Sequence, residues 1–174
     1  MKFNLQKSIQ ILERTPQVLN TYLKDLNDDW IFNNEGENTW SPFDIVGHLV
    51  HGEKTDWITR TKILLKNNPK LTFDSFDRFA QLENSKGKSL NQLLEEFEFL
   101  RKENLTTLKS FQITDKELDF KAIHSELGVV NLKQLLATWT VHDLGHIAQI
   151  SRVMAKQYKN EVGVWYEYIG ILQK

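Results

Sequence analysis

Four long stretches of this chain repeat apolar residues at three- to four-residue spacing, and a segment with that period buries its apolar side as an amphipathic helix. The first runs from about Asn4 to Leu26, with Ile9, Leu12, Leu19, Leu23 and Leu26 in step. Pro16 lies inside it and predicts a kink or break after Arg14 or Thr15, because proline removes a backbone donor and crowds the preceding turn. The second has the clearest start. Ser41 suits an N-cap, Pro42 the first helical position, and Asp44 the positive end of the helix dipole. It is expected to reach about Lys66, where Asn67-Asn68-Pro69 ends it. The third opens at Ser89, with Gln92 completing a capping-box pattern, and carries Leu90, Leu93, Leu94, Phe97, Leu100, Leu105 and Leu108. The fourth extends from near Asn131 to about Lys159.

The remaining segments read as connections. Residues 33–38 form a loop by composition, and residues 70–88 an irregular excursion with one short helix expected around Ser75 to Leu82. Thr114-Asp115-Lys116-Glu117 resembles another capping box opening a single turn. Val162 to Leu172 is apolar and aromatic and is expected to pack back over the helices. Strand-type alternation is scarce. Four amphipathic rods hide their apolar faces most simply against one another, so the expected fold is all-α. It is a four-helix bundle with an excursion between the second and third long helices, forming a single domain over 1–174.

Composition removes several function classes. Lys plus Arg number 22 against 23 Asp plus Glu, with no basic cluster, which argues against nucleic acid as a partner. There is no cysteine, so any metal site must use His nitrogen and carboxylate oxygen. The first residues contain no apolar signal core, and no stretch approaches the ~20 apolar residues of a membrane span. A cytoplasmic protein without a membrane partner is expected.

The informative chemistry lies in Thr140-Val141-His142-Asp143-Leu144-Gly145-His146. At ~100° per residue, histidines four apart stack on one helix face. Leu135, Trp139, Ile150 and Val153 fall within ~80° of His142, so both imidazoles should look inward. Unpartnered imidazole nitrogens in a core cost a few kcal/mol each, and a shared metal ion removes that cost. A lone buried His is more often an ordinary hydrogen-bonded core residue. What changes the balance is His48 on the second helix, whose side is shared by Gly52, Thr55 and Thr59, with Asp56 adjacent. Small and polar residues along an inward face leave room for a pocket. The combination points to His48, His142 and His146 around one divalent ion with open coordination positions.

Asp143 also turns inward and requires a partner. Two roles are open to it: orienting an imidazole or accepting a proton from bound water, or pairing with a Lys or Arg at a helix boundary. A thermolysin-type peptidase loses support, because that signature places Glu directly after the first His. His51 lies ~60° from His48 and is expected at the surface or buttressing a ligand. His124, in a predicted loop, is expected to be exposed, in a position to overhang the pocket.

Trp40-Ser41-Pro42, Gly47-His48-Leu49, the His124-to-Gly128 loop and His142-Asp143-x-x-His146-x-x-Gln149-Ile150, in that order over nearly the whole chain, resemble the DinB-like (YfiT-like) superfamily. The resemblance implies a four-helix bundle with zinc or nickel on three histidines, matching His48, His142 and His146, and implies a homodimer. It also implies one of several activities on a small-molecule substrate: a metal-dependent hydrolase using metal-activated water, or a metal-dependent S-transferase of a low-molecular-weight thiol of the bacillithiol type. A non-catalytic metal- or ligand-binding stress-response module is the alternative of another class. Two features would separate a working site from a structural staple: a pocket at the histidines, and no fourth protein ligand.

Overall fold

The computed structural model describes residues 1–173. Helices α1 (Leu5–Leu12) and α2 (Thr15–Leu23) make the first rod, broken where Pro16 enters the first turn of α2. The rod ends before Leu26, as Asp25 takes a left-handed φ of 60°, and a short α3 (Asp28–Phe32) follows. The second rod is α4 (Pro42–Thr55) and α5 (Trp57–Leu65). The third is α7 (Leu90–Ser110) and the fourth α8 (Leu132–Gln157), with a short α6 (Ala80–Asn84) in the excursion. No helix among the described residues is long and apolar enough to cross a membrane.

Three helix starts are fixed by local chemistry. Ser41 with Asp44, Ser89 with Gln92 and Asn131 with Gln134 all form reciprocal capping boxes. Each cap satisfies otherwise orphaned backbone donors, a contribution of about 1 kcal/mol.

The structure differs from the sequence expectations in four places. The second rod bends at Asp56 (φ −107°, ψ −72°). Immediately before it, Thr55 Oγ1 donates to the His51 carbonyl one turn back at 2.9 Å, a back-bond of the kind that bends helices. The excursion's helix begins at Ala80, not near Ser75. Residues 121–131, read as connection, form an antiparallel hairpin of β1 (Lys121–His124) and β2 (Gly128–Asn131). Its turn closes at Gly128, whose φ of +73° suits glycine. Leu71 and Phe73 bond to Ile123 as a parallel bridge, so the excursion is tied to the hairpin. Finally, the C-terminal segment packs back only in part: of its two 3₁₀ turns, Gly163–Tyr168 and Gly170–Gln173, the second lies against α8 and buries Leu172, whereas Val164, Trp165 and Tyr168 of the first are exposed.

The interior has two apolar clusters. One gathers Ile9, Leu12, Trp57, Leu64, Leu105, Leu108, Leu132 and Trp139, and the other Leu19, Leu23, Ile45, Leu49, Leu93, Phe97, Ile150 and Val153. Between them α4, α7 and α8 each interrupt the apolar stripe at one level, with Glu53, Arg101 and Asp143. Arg101 donates to Asp143 through Nη1 (2.6 Å) and Nη2 (3.0 Å), to Glu53 Oε1 (2.8 Å) and to the Leu12 carbonyl (2.9 Å). Burial alone would favour loss of its proton, but the two carboxylates outweigh that and hold it charged. Trp139 Nε1 and Asn104 Nδ2 also donate to Glu53. This ion cluster cross-links the four rods, with Asp143 next to His142 along α8.

Candidate metal centre

The capped start of α4 sets the rotation of that helix, and His48, two turns in, faces α8. On α8 the four-residue spacing stacks His142 and His146 on the face that meets α4. His142 Nε2 lies 3.1 Å from His48 Nε2 and 3.1 Å from His146 Nε2, and all three nitrogens lie within 4.8 Å of one another. No other group of three or more His, Asp or Glu side chains among the described residues converges this way.

The donor set fits a divalent cation. Ligand nitrogens ~2.0–2.1 Å from a tetrahedral centre stand about 3.3 Å apart, close to the two separations of 3.1 Å that His142 makes. His146 Nδ1 sits 2.8 Å from Gln149 Oε1, so that nitrogen donates and Nε2 is left with its lone pair toward His142. Hydrogen bonds among the rings alone serve the cluster poorly, since the Nδ1 atoms of His48 and His142 are buried without partners. Burial pushes His48 down to about 3 and His142 to about 2, with neighbouring imidazoles and nearby arginines adding to the effect. Burial also lowers His146, against the Gln149 bond, which raises it. All three are therefore neutral at pH 7, the form in which imidazole binds metals.

Aromatic rings wall the cluster. Trp40 stands 4.8 Å from the His48 ring, Trp57 5.2 Å from that of His142 and Phe76 5.6 Å from that of His48. Outside them opens a cavity of about 790 Å³, roofed by the excursion and the β1–β2 turn. Its size suits a small organic molecule. Gly52 and Asp56 line it beside His48, whereas Thr55 and Thr59 turn to a smaller cleft on the other side of α5, because of the bend at Asp56. Asp56 is 8% exposed and pairs with Arg60; burial pushes its carboxyl up to about 6, against Arg60 and with help from Glu53.

The remaining expectations are corrected in part. Asp143 is 0% exposed and gives both carboxylate oxygens to Arg101, so it neither orients an imidazole nor reaches the cavity. Its partner lies mid-helix, not at a helix boundary. His51 is buried rather than on the surface, and its ring packs at a tilt on Phe76, centroids 5.0 Å apart, outside the cluster. His124 is half-buried and lines the cavity, with Nδ1 accepting from the backbone N–H groups of Glu126 and Leu127. Sequence reasoning missed Arg101. Its signal was present, since an arginine stands in step with Phe97, Leu105 and Leu108 on an apolar stripe.

Known proteins resemble the chain in both sequence and fold. The model of the DinB superfamily matches residues 11–150. A Bacillus cereus protein named "Putative metal-dependent hydrolase" is 26% identical over 143 residues, covering 82% of this chain and 81% of its own length. A protein of the same description from Bacillus thuringiensis subsp. konkukian matches equally well. Among solved structures, YfiT from Bacillus subtilis superposes with a TM-score of 0.75 at 21% identity, covering 94% of this chain and 90% of that one. It is described as a probable metal-dependent hydrolase with an unusual four-helix bundle topology, and the likeness assigns that fold here.

Proposed function

Because this chain belongs to the DinB superfamily, with a family match that covers all three clustered histidines, we propose that it is a metal-dependent hydrolase of a small molecule. In this reading His48, His142 and His146 hold one divalent ion; the family resemblance favours zinc or nickel, both of which imidazole suits. The observation that carries it is the convergence of three neutral Nε2 atoms from two helices at the wall of a cavity. A cation so held supplies Lewis acidity, polarising an oxygen brought to it. Structural zinc sites normally close with four protein ligands; three donors beside an open cavity support a working site over a staple.

The chain's own residues divide the labour. Gln149 fixes the His146 tautomer and ring angle. Trp40, Trp57 and Phe76 set apolar rings against the imidazoles, lowering the local polarity and so strengthening electrostatic contacts there. Asp56 is the cavity carboxylate whose proton affinity lies nearest neutrality, and it holds or releases a proton at its own oxygens. The names of the Bacillus relatives support hydrolysis over the other activities.

The test is an assay of zinc- and nickel-loaded protein against ester and amide substrates, with a parallel arm for conjugating a low-molecular-weight thiol to monochlorobimane. Metal-dependent hydrolysis lost in His142→Ala is the expected result. Turnover only in the thiol arm would replace hydrolase with S-transferase.

A further inference from the structure

Most charges that line the cavity are spent on each other. Arg152 forks onto Glu35 with two bonds of 2.7 Å, and Arg60 pairs with Asp56. Arg78, on the excursion, has no ion-pair or hydrogen-bond partner among the described residues, yet it lines the cavity close enough for its charge to act on His48.

His124 is the second unspent group. Its Nδ1 accepts from two backbone N–H groups, Glu126 at 3.1 Å and Leu127 at 3.3 Å. A neutral imidazole with an accepting Nδ1 carries its proton on Nε2, and Nε2 points away from the turn that holds Nδ1. That N–H has no partner among the described residues, on a ring that lines the cavity. The roof therefore offers a guanidinium and an imidazole N–H, both donors. The remaining unpaired charge of the lining is Glu126, at the tip of the turn.

We propose that Arg78 and His124 Nε2–H form an oxyanion-recognition subsite, so that the substrate carries a carboxylate or a phosphate. Its apolar body lies against Trp40, Trp57 and Phe76, and its reacting group faces His48, His142 and His146. Only this last placement rests on the metal-dependent reading above; the subsite itself does not.

The experiment uses matched probes: phenylacetate against phenylacetamide, and phenyl phosphate against phenol. Each is titrated by calorimetry and ligand-observed NMR into zinc-loaded and metal-free protein. Charge-assisted bonds to a guanidinium give an expected preference for the anion of about tenfold or more, in both metal states. Arg78→Gln should abolish the preference and Arg78→Lys keep part of it. His124→Phe should weaken anion binding severalfold, with His124→Gln restoring some, and none of the four should change metal content. The tighter anionic probe assigns carboxylate or phosphate. Absence of preference in both pairs, or a preference that survives Arg78→Gln, overturns the proposal. A preference that vanishes when zinc is removed also overturns it, because the anion is then held at the three histidines. Protein that binds no metal but keeps an Arg78-dependent preference refutes the metal-dependent reading and leaves the subsite standing.

Discussion

Replacing Arg101 with methionine removes one cation from between two carboxylates and leaves the shape nearly filled. Arg101 is 1% exposed, and Glu53 and Asp143 are equally secluded, so neither carboxylate can turn to water without opening the bundle. Breaking a buried ion pair costs about 3–5 kcal/mol. Here one guanidinium serves two acids and the Leu12 carbonyl, and its stacking on Phe97 (4.8 Å) and Trp139 (5.2 Å) is lost as well. The upper part of that range, about 5 kcal/mol, is therefore expected at pH 8. For a chain of this length that lowers Tm by roughly 10–20 °C. The pH dependence identifies the cause. In the variant the two facing carboxylates favour their protonated forms, so it regains stability relative to the parent as pH falls, by up to about 1.4 kcal/mol per pH unit for each acid that titrates. Urea denaturation of metal-free protein between pH 5 and 8 reads this directly. Adding Glu53→Gln and Asp143→Asn to Arg101→Met should recover much of the loss. A variant within about 1 kcal/mol of the parent at pH 8, or a deficit that grows on acidification, would refute the reasoning.

Three other outcomes follow from the same geometry. Gln149→Leu frees the His146 tautomer and should weaken metal binding about 10–100-fold with little change in the melting of the metal-free protein, as competition with a chromophoric chelator will read. Metal-free protein should lose stability as pH falls below about 6.5, where unfolded histidines take up protons that buried His48, His142 and His146 refuse, and should be level in this respect above it. Removing His142 should flatten that slope in urea melts; an unchanged slope would contradict burial of neutral rings. Gly47→Ala sets a gain of about 1 kcal/mol in helix propensity against a Cβ 2.5 Å from Ser85 Oγ where α4 meets α6, so in urea melts it should stabilise more in the Ser85→Ala background than in the parent.

What the sequence revealed follows the range over which each signal acts. Ser41, Ser89 and Asn131 mark their helix starts because a cap is a contact three residues long. The inward turn of His142 and His146 follows from helical periodicity. The bend at Asp56 stayed hidden because Thr55 is compatible with a straight helix until its hydroxyl chooses the backbone. The hairpin stayed hidden because Lys121–His124 is a four-residue strand, held by Gly128–Asn131 and by the distant Leu71–Phe73 segment more than by its own alternation. The role of Asp143 was left open for a similar reason: its partner lies 42 residues away, and nothing local distinguishes a carboxylate that meets a guanidinium from one that meets an imidazole.

Metal content, measured by elemental analysis after equilibrium dialysis against zinc and nickel, tests the centre most directly. One ion per chain is expected in the parent, with near-complete loss in His48→Ala, His142→Ala and His146→Ala and full retention in His51→Ala, whose ring lies outside the cluster. Full stoichiometry in any of the first three variants, or no bound ion in the parent, would contradict it.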